Sequence, residues 1–389
     1  MRLFIEPTEP LLFRTGRPFD AGENNFAETL FPPTPETLQG AIRAAIAVHW
    51  DTTKTIAENF HQEELVQLIG DRTRYGRFRI TGISLGRRSR KNNTDGNVER
   101  LYPMPAHVLQ EEDGVKRQAR LEPKSKEDGI YTNLPDDKQL LYPDKKLDDK
   151  LDKSKRWLTE HGLHKALLTK EDLAKEDIVK SNEIYTVEPR LGIGMNNTTK
   201  TTEEGLLYQV QMIRMNHLME HPYVYGFIVD IRLAQSSDNV ITYPENFTDD
   251  VQTQELLKLP NQGWVILGGE RRAARFEIIK PSEDEQHNGL EQLQRGNLLY
   301  LATPAAFARG WQPRAWIDWA EPIAVAIDRY QPVGGWLLTP GSSGGDQKPI
   351  RRCVPAGSIY FFNETVNIIR PFTDYGMEIG YGITYAGEL

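Results

Sequence analysis

Tyr223, Tyr225, Phe227, Val229, Ile231 and Leu233 recur at every second position. That is the alternation of a strand with one face in a core. Near the N-terminus the period changes. Leu3 to Glu6 reads as a strand stopped by Pro7. Leu38, Ala41, Ile42 and Ala45 then fall at i, i+3, i+4 and i+7, so one helical face is apolar over about Thr34 to Val48. Thr34 suits the N-cap and Pro35 the first helical position. Glu58 to Ile69 predicts a second helix closed by Gly70. Phe78 and Ile80 alternate with Arg77 and Arg79, which predicts a strand burying the first pair and exposing the second, with a bulge at Gly82. Further strands are expected over Leu101 to Leu109, Ile184 to Leu191, Leu206 to Met215, Trp264 to Leu267, Leu298 to Ala302, Ile323 to Ile327, Ser358 to Phe362 and Met377 to Tyr385. Short helices are expected over Thr253 to Leu259 and after Thr303-Pro304, up to Gly310.

A strand, a helix, more strands and a glycine-rich turn thus occur twice. The expected class is α+β. Its economical form is two ferredoxin-like units with glycine-rich loops, one near 1–280 and one near 281–389. The first would carry a charged insertion from Glu111 to Glu183. Runs such as Asp144 to Lys150 are mixed in sign and poor in aromatics, so this segment reads as solvated, partly disordered, and helical around Lys155 to Leu168 and Lys170 to Val179.

With 389 residues, two domains are expected. A formal charge of −8 argues against wholesale nucleic-acid binding. It still permits a local basic groove, because phosphate contacts depend on nearby charge. The single cysteine, Cys353, allows no disulfide framework, zinc ribbon or iron–sulfur site, and points to a reducing, cytoplasmic setting. No apolar run approaches membrane-spanning length, and the N-terminus lacks a secretory pattern.

Catalytic signatures are thin. There is no phosphate-cradling Gly-x-x-x-x-Gly-Lys motif and no His-Glu-x-x-His. Gly341-Ser342-Ser343-Gly344-Gly345 matches a nucleophile elbow in letters but has no helix after it, and reads as a loop. The histidines are scattered; His49, at the end of the first helix, could serve as a general base in metal-free RNA cleavage or simply cap the helix beside Trp50. No metal or cofactor is expected.

The basic groups are the stronger candidates. Arg72, Arg74, Arg77, Arg79, Arg87 and Arg88 form a single-sign run in an acidic chain, and arginine forks suit phosphate oxygens. Arg271, Arg272 and Arg275 follow Gly268-Gly269, where backbone N–H groups and guanidinium groups could surround a phosphate. Gly192 to Thr202 reads as a polar hairpin tip whose Asn196, Thr198 and Lys200 could touch or displace a base. Arg14 and Arg17 lie in a long loop of turn-forming residues, and Arg43 points away from the apolar helix face. Arg351 and Arg352 are two more candidates.

Pro10-Leu11-Leu12-Phe13-Arg14-Thr15-Gly16-Arg17-Pro18-Phe19-Asp20-Ala21-Gly22, followed by Leu30-Phe31-Pro32-Pro33-Thr34-Pro35-Glu36-Thr37-Leu38-Gln39-Gly40-Ala41-Ile42-Arg43, resembles the N-terminus of a RAMP-superfamily subunit of type III-B CRISPR effector complexes. The segment Glu188 to Arg214, the turn Leu267 to Arg272 and Pro355 to Phe361 extend the likeness. The resemblance implies ferredoxin-like folds and a non-catalytic role. Such a subunit holds the 5′ tag of the crRNA and docks the large polymerase-like subunit and the adjacent backbone RAMP subunit. Two rivals remain: a metal-independent endoribonuclease using His49, and a purely structural scaffold.

Overall fold

In the computed structural model the described residues are all except 16–25, 72–73, 92–97, 113–116, 126–133, 149, 153, 197, 217–219, 236–245, 282–288, 315–319, 339–344 and 389. The largest element is an eight-stranded sheet. Its order is Gln262–Ile266, Ala273–Ile279, Arg2–Pro7, Tyr223–Leu233, Phe78–Ser89, Val98–Pro103, Arg156–Thr159 and Ile178–Lys180, with every neighbouring pair antiparallel. The period-two residues Tyr225, Phe227, Val229, Ile231 and Leu233 are all buried in one core cluster. Against them packs the helix Pro35–Trp50, through Leu38, Ala41, Ile42, Ala45 and Ile46. The Thr34 side chain caps it by accepting from the Thr37 N–H at 3.3 Å, as the sequence predicts.

Within this sheet, Arg2–Pro7, Phe78–Ser89, Tyr223–Leu233 and Ala273–Ile279 are four adjacent strands, counted here in chain order, with Val98–Pro103 falling between the second and third in sequence. Across the sheet they stand fourth, first, third, second. Helices Pro35–Trp50 and Asp250–Leu257 fall between the first and second and between the third and fourth. A separate four-stranded sheet orders Ala324–Ala326, Ile359–Asn367, Arg295–Leu301 and Thr384–Gly387. Read from its other edge, that is again fourth, first, third, second. The protein is therefore a strand-rich mixed α/β molecule in which one strand order occurs twice.

The repetition is incomplete in helices. No helix follows Thr303-Pro304. The Thr303 hydroxyl instead accepts the Ile383 N–H at 2.9 Å, and Ala305 bridges Val354, so the cap residue is committed to tertiary contacts. The core face of the second sheet is covered by the helix Glu160–Leu168, whose Leu163 and Leu167 bury against Leu298, Tyr300, Phe361 and Tyr385. This corrects the reading of 111–183 as a solvated insertion. Its strands Arg156–Thr159 and Ile178–Lys180 extend the large sheet, and Trp157, Leu158 and Val179 are buried. Three short strands, Val108–Gln110, Gln118–Lys124 and Leu140–Pro143, add a sheet of their own.

Two other expectations change. Met377 to Tyr385 is not a strand. Gly376, Gly380 and Gly382 have φ of +69, +96 and +68, a region open to glycine and costly for other residues, and they frame a 3-10 turn at Met377–Ile379 before the strand Thr384–Gly387. A Cβ on Gly380 would come within 2.9 Å of the Ile80 and Ile83 side chains. Glu58 to Ile69 is two short helices, Ile56–Asn59 and Glu63–Ile69, with Gly70 at φ +77 closing the second.

Candidate nucleic-acid interface

The N-terminal loop is pinned at Leu11 to Arg14. Leu11 and Ile213 exchange backbone hydrogen bonds of 2.7 and 2.8 Å. Leu30 N–H donates to Phe13 O at 2.7 Å, and Arg14 bridges Thr29. Gly269 N–H donates to Leu12 O at 2.8 Å. Gly268 has φ +78, and a Cβ there would stand 2.6 Å from Leu12 O. Only glycine fits so close an approach in that backbone region. Three elements far apart in sequence thus converge on four residues: the N-terminal loop, the hairpin Tyr185–Met195 with Thr202–Met215, and the turn at Gly268 to Arg272.

At this junction the exposed cations are Arg14, Arg271 and Arg275. Arg271 has φ +54 and makes no ion pair among the described residues. Arg275 donates to the neutral Gln262 Oε1 at 2.6 Å. Arg272 is less available, bound to Glu270 at 2.6 Å and facing Glu9 at 3.8 Å. Arg17 lies outside the described residues.

The hairpin is longer than the sequence indicates. Its strands run through Gly192 and Gly194, and the turn shrinks to about 196–201. Tyr208, paired with Gly192, covers that glycine with its ring. At the tip, Asn196 Oδ1 accepts the Thr198 and Thr199 N–H groups at 2.9 and 3.1 Å. Lys200, at φ +58, is exposed. So Asn196 shapes the turn, while Thr198 and Lys200 face solvent. One face of the hairpin is an exposed apolar row: Val187, Leu191, Ile193, Met195 and, opposite Ile193, Leu207. Leu191 is 73% exposed. The other face carries Glu188 between Arg190 and Arg214 at 2.7 and 2.6 Å; these two bonds hold its carboxyl below the usual range. Sequence reasoning passed over this row, although its alternation was visible, because Gly192 and Gly194 read as a turn.

The arginine run does not join this junction as a set. Arg72 lies outside the described residues. Arg74 pairs with Glu63 at 2.8 Å and Asp71 at 3.4 Å. Arg77 donates to Ala234 O at 2.6 Å. Arg79, expected to be exposed, is 4% exposed and donates to the carbonyls of Gly76 and Phe78. Arg87 pairs with Glu99 at 2.6 Å and lies over Tyr223; Arg88 pairs with Glu277 at 2.9 Å and lies over Phe4. Arg43 donates to Gly70 O at 2.6 Å, tying the first helix to the turn after the third; burial lowers its guanidinium from the ordinary value, partly offset by Asp71. His49 is half-buried in the last helical turn. Among the described residues no His/Cys/Asp/Glu group could hold a metal ion, and no helix is long and apolar enough to cross a membrane.

The strand order and the loop–hairpin–turn junction define a strand-rich α/β protein with exposed cations gathered at one end of its main sheet. The family described as CRISPR-associated protein (Cas_Cmr3) matches residues 3–389, and the chain belongs to it. It is thereby a subunit of type III-B CRISPR effectors. No curated protein matches the sequence. Among solved structures the chain is similar to one in the type III-B Cmr-beta bound to cognate target RNA, at 15% identity and TM-score 0.46, and to one in the same assembly with target RNA and AMPPnP (state 1), at 15% and 0.45. Each alignment covers 93% of this chain and 86% of the other.

Proposed function

We propose that this subunit holds the 5′ tag of the crRNA, without catalysis of its own, and docks the large polymerase-like subunit and the adjacent backbone RAMP subunit. In this reading the two parts with the repeated strand order are ferredoxin-like units, near 1–280 and 281–389. The observation that carries the assignment is the contact of Gly268 and Gly269 with Leu12. It brings Arg14, exposed Arg271 and the hairpin to one junction, where guanidinium groups can meet phosphates. Arg275 and Lys200 add charge, and the apolar hairpin face suits contact with a splayed base. Much of the Arg74 to Arg88 run serves the fold, and net acidity then limits binding elsewhere.

The test is tag affinity across a salt series in the assembled complex. Arg271→Ala combined with Arg272→Ala should weaken binding and lower the salt slope by about one unit, at about 0.7 per phosphate contact on a single strand. Unchanged affinity and slope would remove the turn from the site.

A further inference from the structure

The strand pair Gln331–Val333 and Arg351–Cys353 carries two guanidinium groups laid on tyrosine rings. Arg352 is exposed, with its Cζ 5.2 Å from the centre of the Tyr330 ring, and Tyr330 is itself 47% exposed. On the neighbouring position, Arg351 Cζ sits 3.6 Å over Tyr375. Neither arginine has a carboxylate partner among the described residues. The acids at hand are already engaged: Glu36 accepts the Tyr375 hydroxyl at 2.6 Å and the Lys348 ammonium at 3.3 Å, while Asp328 Oδ1 accepts the Arg329 N–H at 2.7 Å. Arg352 is therefore an exposed cation with no carboxylate partner among the described residues, in a chain of net charge −8, while Arg351, the next residue of the strand, projects to the opposite face. This differs from Arg74, Arg87 and Arg88, each paired with a glutamate.

Leu30, hydrogen-bonded to Phe13 O next to Arg14, packs against the buried cluster of Val333, Cys353 and Tyr381 on the inner face of this strand pair, and Arg352 alternates to the other face. We propose that Tyr330 and Arg352 form a second contact for single-stranded RNA, with a base stacking on the exposed tyrosine and a phosphate meeting Arg352. The proposal rests on the RNA-binding reading above and adds a contact on this two-stranded sheet. An aromatic face accepts any base, and a guanidinium already held flat loses little freedom on meeting a phosphate. An acidic peptide would use the cation but gain little from the ring.

The full chain is titrated with a fluorescein-labelled oligouridylate at several salt concentrations, with circular dichroism confirming that each variant is folded. Tyr330→Ala should weaken binding about tenfold, as expected for loss of one stacked base, and Tyr330→Phe should retain affinity because the hydroxyl is not used. Arg352→Ala should lower the salt slope by about 0.7. A 4-thiouridine probe should crosslink to the peptide containing Tyr330. If Tyr330→Ala and Arg352→Ala match the parent while Arg271→Ala with Arg272→Ala weakens binding, this second contact is wrong and the first site stands. If no variant changes binding, or the chain does not bind the probe, the second contact is wrong, and the first site is decided by the tag titration in the assembled complex. Competition by polyglutamate as effective as that of unlabelled RNA would overturn the nucleic-acid assignment of the patch.

Discussion

Asp230 lies directly over Gly82, so that a Cβ at position 82 would fall on its carboxylate. The pair sits at the register shift between Tyr223–Leu233 and Phe78–Ser89, where the sequence anticipates a bulge. The open space lets the Asp230 carboxylate take Arg2 Nε at 2.7 Å and also Arg100. Burial alone would raise its pKa, but Arg100 and Arg2 outweigh it and bring the group to about 2. Gly82→Ala should therefore push the carboxylate off its partners, destabilising the fold by about 1–3 kcal/mol as overpacking does, read as a shift in the urea midpoint.

The same carboxylate sets an acid limit. Its folded pKa is below the unfolded value, so its contribution is present above about pH 4 and is lost as pH falls toward 2. The difference is worth about 2 kcal/mol. Urea midpoints between pH 5 and 2 should fall for the parent, and Asp230→Asn should remove part of that pH dependence while lowering stability throughout.

Arg79 and Arg271 should separate into two kinds of arginine. Arg79 is buried and bonded to two carbonyls, so Arg79→Ala should cost about 2 kcal/mol or more in chemical denaturation. Arg271 is exposed, and Arg271→Ala should leave the denaturation midpoint nearly unchanged while reducing the salt dependence of tag binding.

Leu163 is fully buried between the helix Glu160–Leu168 and the C-terminal sheet. Leu163→Ala should cost about 2–5 kcal/mol by leaving a cavity. A loss below 1 kcal/mol in thermal or urea unfolding would return this segment to the status of a peripheral insertion.

What the sequence made legible is what local periodicity controls. The alternation from Tyr223 to Leu233, the helix behind Thr34-Pro35 and the bulge at Gly82 all emerge as expected. Glycine misled in both directions, since its meaning depends on φ. Gly192 and Gly194 continue a strand because Tyr208 covers the gap, whereas Gly376, Gly380 and Gly382 turn left-handed and break one. The apolar residues Trp157, Leu158, Leu163 and Leu167 were hidden by the charge around them; Trp157 is buried in the main core, and burial of the other three depends on a sheet formed by residues beyond 290. For arginines, the sequence supplied the candidates but not their partners. Glu99 reaches Arg87 as its cross-strand partner and Glu277 reaches Arg88 across the sheet, and Arg271 makes no ion pair among the described residues, in a turn geometry no local pattern encodes. The junction of Leu12 with Gly268 and Gly269 joins segments some 256 residues apart, and it became visible only with the fold.

The most direct test of the RNA-holding role is photocrosslinking from the first nucleotides of the crRNA in the assembled effector, with the attachment sites mapped on this chain. The junction predicts crosslinks at Arg14, at the hairpin around Asn196 to Lys200, and at Gly268 to Arg272. Crosslinks confined to Arg74 through Arg88, or absent from this subunit altogether, would contradict it.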